Sequence, residues 1–78
     1  MATVLIVEDE HVLRLTFEQF LLEENYTVYT AQNYQEASDI LDEQAIDVVV
    51  SDIILGGETG IALLRHISKH TPECRVIM

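Results

Sequence analysis

The chain has 78 residues, with 4 Lys plus Arg against 14 Asp plus Glu, a formal net charge of −10. That size admits one small domain, since a chain this short buries only about 60% of its unfolded surface. The acidic balance argues against direct contact with a nucleic-acid backbone or an anionic membrane, and favours basic patches on another protein. No apolar run approaches the roughly 20 residues that span a bilayer, and no signal-peptide pattern follows Met1, so a soluble, cytoplasmic protein is expected. A single cysteine, Cys74, excludes a disulfide framework and reads as an ordinary semi-buried thiol.

Thr3-Val4-Leu5-Ile6-Val7 is a short continuous run rich in β-branched residues, the pattern of a strand covered on both faces. Glu8-Asp9-Glu10 follows at once, where that strand should end. Val12, Leu13, Phe17, Phe20 and Leu21 then recur at helical spacing through Glu24, and Asn25 stands where a left-handed helix cap is wanted. Residues 26–30 are rich in β-formers and predict the second strand. Asn33-Tyr34-Gln35-Glu36 has the form of a capping box opening a second helix, with Ala37, Ile40 and Leu41 as its apolar stripe.

Residues 46–51 form the next apolar strand, and Asp52 follows it as Glu8-Asp9 follow the first. Gly56-Gly57 loosens the loop beyond Asp52. Thr59 is placed to cap a third helix that buries Ile61, Leu64 and Ile67. Pro72 interrupts, and Arg75-Val76-Ile77-Met78 begins a fourth strand. Alternation of strand and helix favours a parallel α/β sheet with right-handed crossovers and helices on both faces. In such sheets ligands bind beyond the carboxyl ends of the strands, so Glu8, Asp9 and Asp52 converge on one place. Three carboxylates there repel one another unless solvated, partly protonated, or gathered around a hard cation such as Mg2+.

With these residues in place, the chain resembles the receiver domain of bacterial two-component response regulators. The resemblance rests on Val4 to Glu10, then Asp47-Val48-Val49-Val50-Ser51-Asp52, then Leu55 and Gly60 at the family's offsets, and it covers the whole chain. It implies a flavodoxin-like sheet of order 2-1-3-4(-5), here with four strands and three helices. Residues 1–78 are then the N-terminal part of a single receiver domain, lacking the fourth helix, fifth strand and fifth helix. The resemblance assigns Asp52 as acceptor of a phosphoryl group from a histidine kinase or phosphotransfer protein, used as a conformational switch. Asp9 becomes a direct Mg2+ ligand, Glu8 acts largely through metal-bound water, and the backbone carbonyl of Ile54 is a further ligand.

Such a protein is a signalling phosphoacceptor and not a dedicated enzyme. Family members often have proline at the position of Gly56, aspartate at Thr59 and aspartate at Glu8. They also use a Ser or Thr at the end of strand four and a Lys at the end of strand five, which this chain does not reach; Lys69, on the third helix, is a poor substitute. An uncovered apolar edge at residues 75–78 is expected to favour self-association. The alternative reading is a receiver-like dimerisation or docking module that is not phosphorylated. A phosphohydrolase would want a second aspartate two residues after Asp52, where Ile54 stands, and a nucleotide or flavin domain would want a phosphate loop where Glu8-Asp9-Glu10 would repel it. His66 and His70, four apart, read as an exposed helix face, and Tyr26, Tyr29 and Tyr34 as packing residues.

Overall fold

The computed structural model describes residues 2–51, 65–69 and 74–77. In chain order these form β1 (Thr3–Val7), α1 (His11–Glu23), β2 (Thr27–Ala31), α2 (Tyr34–Glu43), β3 (Val48–Ser51), a helical stretch at 65–69 (α3), and β4 (Arg75–Ile77). The sheet is wholly parallel with order β2-β1-β3-β4, the order expected from the sequence. Val4 to Val7 are all buried, as a central strand with two covered faces requires.

Because side chains alternate across a strand, the two faces of the sheet receive different residues. Leu5, Val7 and Val49 pack with Ala31, Ala37, Leu41, Ile46, Ile67 and Cys74 into one buried cluster under α2 and α3. The fully buried Ala37, with no side chain beyond Cβ, permits close approach of α2, and Leu41 follows one turn later on the same face. Tyr29 and Tyr34 pack against this cluster, as expected of packing residues, whereas Tyr26 is exposed.

The opposite face carries Ile6, Val50 and Ile77, which line an apolar cleft of about 310 Å3 with Leu13 and Phe17 of α1. The expected stripe of α1 therefore does not close: no residue of the helix is buried, and Val12 and Phe20 are 65% and 60% exposed. The helix carries apolar residues on more than one side, so one sheet contact cannot cover them all. Burial of apolar area is the main drive for packing, and here it is strongly asymmetric between the two faces.

Helix ends follow local chemistry. Asn25 has φ 68°, and Asn25 N–H donates to Leu22 O (3.0 Å) while Tyr26 N–H donates to Leu21 O (3.1 Å), the paired bonds of a Schellman stop. Asn33 Oδ1 accepts from Glu36 N–H (2.9 Å), as the capping box predicts, but Glu36 Oε1 accepts from Gln32 N–H (2.9 Å), one residue earlier than the usual reciprocal bond. Gly56-Gly57, Thr59, Ile61, Leu64, His70 and Pro72 lie outside the described residues.

Candidate functional site: the carboxyl end of the sheet

Val7 of β1 pairs with Ala31 of β2 on one side and Ser51 of β3 on the other, so the three strands end at one level. Glu8 extends the ladder one step, its N–H donating to Ala31 O at 3.0 Å. Three acids then follow along the chain, and the fold treats each differently.

Glu8 is only 6% exposed, and its Oε1 accepts from Glu10 N–H at 3.1 Å. Glu10 is the N-cap of α1: its backbone is extended (φ −83°, ψ 119°) and its carboxylate accepts from Val12 N–H (3.1 Å) and Leu13 N–H (3.0 Å). This satisfies amide donors that a helix start leaves unpaired. Glu10, exposed to solvent, is thus the cap of the helix. Glu8 and Asp9 precede the helix, which begins at His11. Asp9 is exposed, and among the described residues its carboxylate makes no hydrogen bond or ion pair.

Arg14 and His11 complete the corner. Arg14 Nη1 donates to the Glu8 carbonyl at 2.9 Å, and Arg14 Nη2 lies 2.9 Å from His11 Nδ1. A guanidinium has no acceptor, so Nδ1 must accept and the neutral His11 ring carries its proton on Nε2. Beside this corner Ser51 is 4% exposed, and its Oγ is buried without a hydrogen-bond partner among the described residues.

Asp52, the next residue after Ser51, and Ile54 lie outside the described residues. The structure thus brings Glu8, Asp9 and the end of β3 together, while the acceptor and the carbonyl ligand expected from the sequence are not placed by it. Among the described residues no group of three His, Cys, Asp or Glu could hold a metal ion. What the corner offers is one unengaged hard oxygen donor, Asp9, beside a buried carboxylate, Glu8.

His66 departs from its sequence expectation. It is half-buried, its Nε2 lies 3.1 Å from Asp42 Oδ1, and its ring meets Tyr34 edge to face with centroids 6.1 Å apart. It ties α3 to α2, with Asp42 as its partner. At the amino end of the sheet Asp47 plays a part the sequence did not announce. Its Oδ2 accepts from Thr3 N–H (2.8 Å), its N–H donates to Thr3 O (2.9 Å), and its carbonyl accepts from Arg75 N–H (3.0 Å).

Comparison with known proteins decides the family. The sequence model of the response regulator receiver domain matches residues 4–78. The chain belongs to that family. The regulatory protein VanR of Enterococcus faecium is 39% identical over 69 residues, covering 87% of this chain and 30% of VanR. Among solved structures, the response regulator TrrA of Thermotoga maritima in complex with Mg(2+)-BeF superposes with a TM-score of 0.90 at 31% identity, covering 100% of this chain and 68% of that one. A complex of the histidine kinase ThkA with TrrA matches with a TM-score of 0.86 at 30% identity, over 97% of this chain and 66% of that one. This receiver chain therefore spans under a third of VanR and about two thirds of the TrrA chains. No described helix of the receiver is long and apolar enough to cross a membrane.

Proposed function

We propose that this receiver accepts a phosphoryl group on Asp52 from a phosphohistidine of a partner kinase or phosphotransfer protein, at a site where Asp9 and Glu8 organise Mg2+. The observation that carries this reading is Asp9: of the three adjacent acids it is the one with no structural employment, at the strand end where an α/β sheet binds ligands. Mg2+ takes only one or two protein carboxylates, keeps several waters and completes its shell with phosphate oxygens, which suits a donor set this sparse. The ligands would be Asp9, Asp52 and the Ile54 carbonyl, with Glu8 acting through metal-bound water. When bound, the ion supplies charge neutralisation for the phosphoryl oxygens.

In the transfer, a carboxylate oxygen of Asp52 attacks phosphorus in line, the P–N bond to the donor imidazole breaks, and its electron pair remains on the leaving nitrogen. The product is an aspartyl phosphate, and its added charge shifts an equilibrium between two conformations of the domain. Response regulators are signalling modules, and the ThkA–TrrA complex makes a histidine kinase the kind of donor to test first.

The test is intact mass before and after incubation with Mg2+ and acetyl phosphate, beside Asp52→Asn. A phosphoryl-sized gain that is absent from the variant and from an EDTA-treated sample is expected. A protein that binds Mg2+ yet gains no mass would instead favour a docking module.

A further inference from the structure

We infer that Arg14 is a positioning residue for the acidic corner, holding the Glu8–Asp9 peptide so that the Asp9 carboxylate is presented to the cation; this rests on the divalent-cation reading of the site. Glu8 is anchored at three points: its N–H to Ala31, its side chain to Glu10 N–H, and its carbonyl to Arg14 Nη1. A peptide unit is planar, so fixing the Glu8 carbonyl fixes the plane that also carries the Asp9 nitrogen. Asp9 is beyond the last ladder bond of β1, and among the described residues nothing holds its own carboxylate. Arg14 therefore controls the one backbone unit through which β1 can orient it.

Arginine suits the task because its guanidinium is a planar fork. One prong reaches Glu8 O and the other His11 Nδ1, while Arg14 N–H makes the first-turn bond to Glu10 O at 3.0 Å. The side chain thus folds back from the start of α1 onto the end of β1 and braces the corner. Its two hydrogen bonds go to a carbonyl and a ring nitrogen, and Arg14 forms no ion pair with an acidic side chain among the described residues. The connection is one of geometry, with charge as an opposing influence, since a cation beside a cation site weakens binding.

This opposition sets the sign of the test. In the protein containing this chain, Mg2+ binding is measured by isothermal titration calorimetry for wild type, Arg14→Gln and Arg14→Lys, with metal-free thermal unfolding and hydrogen exchange of the Glu10 amide as controls. Arg14→Gln should weaken Mg2+ binding about tenfold, the scale on which supporting residues tune metal sites. It should also speed Glu10 exchange while the metal-free protein stays folded. Arg14→Lys, which keeps the charge and loses the fork, should fall in the same direction. Unchanged or tighter Mg2+ binding in Arg14→Gln would overturn the inference, because Arg14 would then act only as a charge. If wild type binds no Mg2+, the cation reading fails by itself. Glu10 exchange then decides the brace: faster in Arg14→Gln upholds it, and unchanged overturns it.

Discussion

The two ends of the sheet each carry an exposed aspartate, Asp47 and Asp9, and they are used in opposite ways. Asp47 stands where β3 begins, and its side chain, N–H and carbonyl stitch β1 and β4 to β3. Asp9 stands just past the end of β1, and its carboxylate holds no partner among the described residues. The difference lies in what surrounds each: Asp47 faces a strand amide with no ladder partner, whereas at the other end Glu8 and Glu10 already satisfy the nearest free amides. An exposed acid whose neighbours have taken its structural work is left available for a ligand.

The sharpest way to break this contrast is Asp9→Ala. Mg2+ affinity should fall on the order of a hundredfold, about 2.8 kcal/mol, with urea unfolding of the metal-free protein shifted by less than about 0.5 kcal/mol. Calorimetric titration showing wild-type affinity would remove Asp9 from the site. Asp47→Ala should behave in reverse, costing about 1–2 kcal/mol of stability for a charge-assisted bond to Thr3 N–H. Mg2+ affinity should stay at the wild-type value. A smaller effect is expected from Glu10→Ala, about 0.5–1 kcal/mol in urea unfolding through loss of the α1 cap. No loss of stability there would mean that the helix start is held without that carboxylate.

Much of the fold was legible because it depends on local pattern. Continuous apolar runs rich in β-branched residues at Val4–Val7 and Val48–Val50, helical spacing between them, Asn25 at a left-handed position and Asn33 as a cap all have causes within a few residues of themselves. The exposure of α1 was less legible. Val12, Leu13, Phe17 and Phe20 recur at helical spacing, yet burial depends on what lies across from a helix, and all four stay exposed, with Leu13 and Phe17 lining an open cleft above the sheet. His66 was misread for the related reason that its partner Asp42 lies 24 residues away.

For the site, sequence alone determined that acids stand at the ends of two strands, because strand ends are set by where an apolar run stops. Residue pattern did not separate Glu8, Asp9 and Glu10, which are consecutive and chemically alike, although the family resemblance made Asp9 the direct ligand and Glu8 one acting through metal-bound water. The tertiary structure gave the three different surroundings. The pleat and the β2 ladder bury Glu8, the turn into α1 lays Glu10 over two unpaired amides, and Asp9 between them is left turned to solvent. Arg14 was equally hidden in the sequence, because a side chain six residues after Glu8, in the following helix, reaches the end of the preceding strand only after the chain has turned back on itself.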